Sequence, residues 1–116
     1  MQTFVLICDL KNEPEAIEAY VTCHRNVSPE ILESIRVSGI LNMSIYRWQN
    51  RLTMLINTTD EFNFEKKAKL DLANPKVQEW EKFLGQFQTH LPGTPPTWRW
   101  ALTEQIFEYK AEKNLP

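Results

Sequence analysis

Leu41-Asn42-Met43-Ser44-Ile45-Tyr46-Arg47-Trp48 is followed, after Gln49-Asn50, by Arg51-Leu52-Thr53-Met54-Leu55-Ile56-Asn57-Thr58. Both runs carry long apolar, aromatic and β-branched side chains, the composition of strands. Two residues between them are the length of a tight hairpin turn, and Asn50 tolerates the positive φ such a turn needs. The alternation along the first run predicts Leu41, Met43 and Ile45 on one side, with Asn42, Ser44, Tyr46 and Trp48 on the other. An antiparallel pair in the middle of the chain is the anchor for everything around it.

Toward the N-terminus, Thr3-Phe4-Val5-Leu6-Ile7-Cys8-Asp9 reads as a buried strand. Asn12-Glu13-Pro14-Glu15 then opens a helix, with a polar cap, an early proline and acids in the first turn. Ala16, Ile17, Ala19, Tyr20, Cys23 and His24 recur at helical spacing behind it. Ser28-Pro29-Glu30 starts a second helix with Ile31, Leu32 and Ile35 as its apolar stripe, and Gly39 ends it. On the C-terminal side, Asp60 is expected to open a short helix over 62–69. Asn74-Pro75 starts another, carrying Val77, Trp80, Phe83, Leu84 and Phe87. Residues 90–97 hold three prolines and a glycine and read as a loop. Residues 98–109 alternate as a closing strand, and 110–116 read as a loose tail of the single domain that spans 1–116. Strand, helices, strand, strand, helices, strand is a split βαβ order. It predicts an α+β chain, ferredoxin-like βαββαβ, with a four-stranded antiparallel sheet and helices on one face. The polar and aromatic side of the 41–48 strand would then need cover, and a second copy of the chain supplies it, giving a homodimer through the sheet face.

Composition narrows the function. The 116 residues carry thirteen Lys and Arg against fifteen Asp and Glu, a formal charge of -2, which argues against a nucleic-acid partner. No apolar run approaches the ~20 residues that span a bilayer, so no membrane partner is expected. Met1-Gln2-Thr3-Phe4 lacks the basic start and cleavage site of a secretory signal, and Cys8 and Cys23 form neither a disulfide framework nor a zinc pattern. The expected compartment is the cytoplasm, with both thiols free. Three glycines in the whole chain leave no phosphate-cradling loop. Tyr20 and His24, four apart on one helix, share a face with Ile17 that looks toward the sheet. Such a pair is either a proton-carrying imidazole beside a phenol or a core histidine beside a space-filling tyrosine. Trp80 is either an indole platform for the apolar face of a sugar or a core tryptophan. Trp98-Arg99-Trp100 is an isolated aromatic-cation triplet.

In this order and spacing, Tyr20-x-x-x-His24, Pro29-Glu30, Gly39, Asn42-x-x-x-Tyr46 and Val77-x-x-Trp80 resemble the L-rhamnose mutarotase family, from about Phe4 to Tyr109. The resemblance implies the dimeric α/β barrel fold. It also implies an isomerase that interconverts the α and β anomers of a 6-deoxy-L-hexose, with a monosaccharide as partner and neither metal nor cofactor. Residue by residue, His24 matches the family's catalytic proton donor, Tyr20 a substrate-binding tyrosine, and Trp80 the first of two adjacent binding tryptophans. Two positions depart: Met43 replaces the strand tyrosine that binds rhamnose, and Glu81 replaces the second tryptophan. Asn42-Met43 together with Asn74-Pro75-Lys76-Val77-Gln78-Glu79-Trp80-Glu81 looks like an L-fucose branch of the family. Two rival readings share the expected fold: a non-catalytic metabolite-binding or regulatory domain, and a monooxygenase that is cofactor-free or handles haem.

Overall fold

The computed structural model describes residues 1–96 and 98–111. Thr97 of the proline loop and residues 112–116 of the expected tail lie outside them. The elements run β1 (Gln2–Leu10), α1 (Pro14–Cys23), α2 (Pro29–Val37), β2 (Ile40–Trp48), β3 (Arg51–Thr58), α3 (Phe64–Leu72), α4 (Pro75–Gly85), β4 (Gln88–Thr89) and β5 (Ala101–Leu102). The sheet is antiparallel in the order β2-β3-β1-β4, and β5 pairs β1 beside β4. This is the ferredoxin-like arrangement, with no helix long and apolar enough to cross a membrane among the described residues.

Local chemistry accounts for the element ends. Pro14, Pro29 and Pro75 each sit at the first helical position, where the missing N–H costs nothing. Asn74 accepts from the backbone N–H of Lys76 and Val77 and so caps α4. Gly39 adopts φ +100, and a Cβ there would lie 3.0 Å from the Thr59 hydroxyl, so a side chain is excluded at the entry to β2.

Four expectations are corrected. α3 begins at Phe64 rather than near Asp60, because Asn63 is the residue whose side chain accepts from the Lys66 N–H. In the hairpin the positive φ falls on Gln49, not Asn50. Asn50 instead ties the turn to β1: its side-chain amide donates to the Leu10 carbonyl (2.9 Å) and its backbone carbonyl accepts from the Leu10 N–H (2.7 Å). A register shift between Ile40 and Asn42 turns Leu41 out and Ile40 in, while Met43 and Ile45 keep the inward side. The closing strand of 98–109 shrinks to Ala101–Leu102, and Gln88–Thr89 shares the edge of β1 with it.

The even positions of β1 and β3 face the helices. Cys8, Leu10, Leu52 and Ile56 are the most enclosed apolar side chains, so truncating Leu10 or Leu52 to alanine costs about 2–5 kcal/mol. Two clusters fill that side. Cys8, Leu10, Tyr20, Leu52 and Leu84 form one, and Leu6, Ile40, Ile56 and Phe62 the other; Trp100 packs against both. The site sits on the first cluster.

Candidate active site

α1 ends in a way that prepares one side chain. In a continuing helix the His24 N–H would bond the Tyr20 carbonyl. Here the last turn tightens, and the His24 N–H goes to the Val21 carbonyl instead (3.2 Å). The Tyr20 carbonyl is left free, and the His24 imidazole takes it up, with Nδ1 at 2.7 Å. A carbonyl only accepts, so Nδ1 carries the hydrogen. The neutral imidazole is thereby held with its lone pair on Nε2, and the cationic form with a donating N–H there. The Cys23 thiol also reaches the Tyr20 carbonyl (3.1 Å) and sits 3.4 Å from Nδ1, closing that side of the ring.

Aromatic rings frame the imidazole. Tyr20 lies 4.6 Å away between centroids, and Trp80 of α4 lies 5.4 Å away at 60°. Trp80 continues into Phe83, nearly parallel at 6.1 Å, and Phe83 meets Phe87 edge-on at 5.4 Å. Trp80 and Phe83 also form one wall of a cleft of about 290 Å³ between α2 and α4. Its other lining residues are Ser28, Glu30, Ile31, Lys76 and Glu79. The indole thus borders both the imidazole and a surface cleft with an apolar wall and a charged rim, whose lining includes neither His24 nor Tyr20.

Tyr20 is buried, and its ionisation is displaced. Burial above all, then the Cys8 thiol, pushes the phenol above its ordinary value, while a hydrogen bond with the buried Gln88 side chain works the other way. Tyr20 therefore stays a neutral hydrogen-bonding group and is no base. The fully buried Cys8 thiol is pushed up to about 12, first by burial and then by Asp9, and is chemically inert. Among the described residues no three His, Cys, Asp or Glu side chains gather as metal ligands.

The expected site residues divide. Tyr20, His24 and Trp80 come together. Met43 points inward but packs against the second cluster. Glu81 turns toward α3. Partial burial first, and then the Asp71 carboxylate, raises its carboxyl above the ordinary value, with Lys67 pulling the other way. Lys67 and Asp71 are themselves ion-paired one turn apart. Sequence reasoning missed Cys23 behind the imidazole, Gln88 at the phenol, and the cleft residues of α2. Phe83 alone carried a local signal, three residues after Trp80 on one helix face. His90, unassigned from sequence, turns Nε2 toward the carbonyls of Thr94 (2.8 Å) and Pro95 (3.2 Å) and braces the proline loop.

Comparison with known proteins gives a consistent result. Residues 3–109 match the L-rhamnose mutarotase family. The chain is 33% identical over 109 residues to an L-fucose mutarotase of Xanthomonas campestris pv. campestris, covering 92% of this chain and 87% of that one. The crystal structure of an L-rhamnose mutarotase from Formosa agariphila superposes with a TM-score of 0.69 at 17% identity, over 95% of this chain and 100% of that one. The tetracenomycin F2 cyclase of Streptomyces glaucescens superposes with a TM-score of 0.62 at 16% identity, over 97% of this chain and 100% of that one. At such identities the two structures speak for the fold alone.

Proposed function

The chain belongs to the L-rhamnose mutarotase family, and from that premise we infer that it interconverts the α and β anomers of a 6-deoxy-L-hexose by general acid–base catalysis at His24, with L-fucose preferred over L-rhamnose. Family membership makes it an isomerase of sugars and sets aside the metabolite-binding and monooxygenase readings. The observation that carries the mechanism is the imidazole whose Nδ1 is tied to the Tyr20 carbonyl and whose ring faces the Trp80 indole.

Ring opening needs a proton delivered to the endocyclic oxygen and another removed from the anomeric hydroxyl, which passes to a water molecule. The C1–O5 bond breaks as the C1 carbonyl forms. Rotation about C1–C2 and the reverse steps give the other anomer. His24 as imidazolium gives the Nε2 proton to O5 and, as neutral imidazole, takes it back on reclosure. Because Nδ1 is fixed, the ring cannot turn its other nitrogen to the sugar. Trp80 supplies an apolar platform for the sugar face, and the Tyr20 phenol supplies a neutral hydrogen-bonding group.

Residues 1–116 act in this reading as one domain working in the cytoplasm. Two copies pair through the outer face of the sheet. That face supports the pairing: Tyr46 and Trp48 are 64% and 73% exposed on it, beside the half-buried Val5, Ile7 and Leu55. Saturation transfer between the two anomeric protons, run on L-fucose, L-rhamnose, D-galactose and D-glucose, tests the function. Enhanced exchange is expected for the 6-deoxy-L-hexoses, with L-fucose fastest. Exchange no faster than in buffer for all four sugars would refute the reading.

A further inference from the structure

A glutamine sits where the first cluster is otherwise apolar. β4 follows α4 through a turn in which the Phe87 N–H bonds the Leu84 carbonyl (3.0 Å), and the Phe87 carbonyl accepts from the Lys11 N–H (2.8 Å). The backbone entering Gln88 is thus fixed between α4 and the end of β1. Gln88 pairs with Leu10 across the antiparallel ladder, and directly opposed residues place their side chains on one face. Leu10 is fully buried on the helix side of the sheet. Gln88 points to that side too and is 6% exposed, while the next residue, Thr89, is exposed.

Burying a primary amide is unfavourable unless its polar groups are hydrogen-bonded. The first cluster and the apolar side chains packed on it offer a single side-chain oxygen, the Tyr20 phenol. Gln88 bonds that phenol. The bond eases loss of the phenol proton, so the amide N–H donates and the phenol oxygen accepts. A phenol has one proton to give and lone pairs to accept with. With the amide N–H directed at the oxygen, the phenol's own O–H is left over, on a ring 4.6 Å from the His24 imidazole. A glutamine presenting its carbonyl instead would consume that proton and leave the phenol able only to accept from a ligand.

We propose that Gln88 is a positioning residue for sugar binding: its amide N–H holds the Tyr20 oxygen and so leaves the phenol O–H to donate to an oxygen of the sugar. This rests on the sugar-binding role of Tyr20 in the preceding reading and adds the residue that sets its polarity. Gln88 acts on the sugar only through Tyr20. His24 serves the endocyclic oxygen and water the anomeric hydroxyl, so the oxygen read by Tyr20 belongs to one of the other ring hydroxyls. Ring opening leaves the charge on that oxygen unchanged. The bond therefore contributes equally to ground state and transition state, and its loss shows in KM.

The test compares Gln88→Met, Tyr20→Phe and the double variant with the unaltered protein. Saturation transfer over a range of L-fucose concentrations gives kcat and KM, and circular dichroism reports the fold. Methionine keeps the length of glutamine without its amide. Gln88→Met is expected to fold and to raise KM about 3–10-fold with kcat within about twofold. The double variant is expected to match Tyr20→Phe, because the amide acts only through the phenol. With ¹³Cζ-labelled tyrosine, the Tyr20 signal, assigned by its absence from Tyr20→Phe, is expected to move in Gln88→Met while those of Tyr46 and Tyr109 stay. An unchanged KM, a loss that adds to that of Tyr20→Phe, or an unmoved Tyr20 signal would overturn the role and leave the mutarotase reading standing. If Gln88→Met does not fold, the unaltered protein decides: a nuclear Overhauser contact between the Gln88 amide protons and the Tyr20 ring is expected, with those amide signals shifting when L-fucose is added. Absence of either would overturn the role. No catalysed exchange by the unaltered protein would refute the mutarotase reading and this role with it, while the Overhauser contact would still report the bond itself.

Discussion

The chain has two histidines, and their surroundings give them opposite tautomers. At the end of α1, His24 spends Nδ1 on the Tyr20 carbonyl, which leaves Nε2 as its remaining nitrogen, on a ring 4.6 Å from Tyr20 and 5.4 Å from Trp80. In the proline loop, His90 spends Nε2 on the carbonyls of Thr94 and Pro95. Both rings are hydrogen-bonded to backbone, and among the described residues only the His24 ring packs against other aromatic rings. What makes an imidazole a catalyst is therefore the nitrogen its neighbours leave over and the wall it faces. The presence of a histidine alone does not decide it.

Substitutions sharpen that contrast in descending order. His24→Ala is expected to leave the fold intact and lower enzyme-catalysed anomer exchange by about 10²–10⁴-fold, the scale of general acid–base help. Saturation transfer reads it, and an unchanged rate would move the proton transfer elsewhere. Trp80→Ala is expected to raise KM roughly tenfold, about 1.4 kcal/mol of lost apolar contact, with a smaller change in kcat; an unchanged KM would remove the platform. His90→Ala is expected to leave kcat and KM within about twofold, with a stability loss near 1 kcal/mol. A large loss of activity there would erase the contrast between the two rings.

Two enclosed groups of the first cluster, Cys8 and Tyr20, add a pH effect that is absent at neutrality. Cys8 and Tyr20 both ionise later in the folded chain than in the unfolded one, whose ordinary values are 9.0 and 10.0. As pH rises past 9 the unfolded chain loses these protons first, so stability is full below that pH and declines above it. Urea midpoints at pH 7, 9 and 10.5 are expected to fall in that order, and Cys8→Ala should flatten the decline. A midpoint that does not fall would contradict the burial of these groups.

Much of this was legible along the chain because it is local. The hairpin follows from a period of two around a two-residue gap, and the Tyr20/His24 alignment from a spacing of four on one helix. Non-local features were not legible. The bulge that turns Leu41 out is set by pairing with β3. The two short strands at the edge of β1 are set by that edge, so alternation over 98–109 promised a longer strand than the chain itself pairs. Likewise the approach of Trp80 to His24 is a product of bringing α4 near the end of α1. Glu81 shows the limit of position-by-position transfer, since α3 supplies the charges around it.

The most direct test is a long-range ¹⁵N–¹H spectrum of the two imidazoles, assigned with His24→Ala and recorded with and without L-fucose. His24 is expected as the Nδ1–H tautomer with a bare Nε2 whose resonance moves when sugar is added, while His90 appears as the Nε2–H tautomer and does not respond. A His24 ring protonated on Nε2 alone in its neutral form, or an Nε2 signal indifferent to a sugar that is being turned over, would contradict the account.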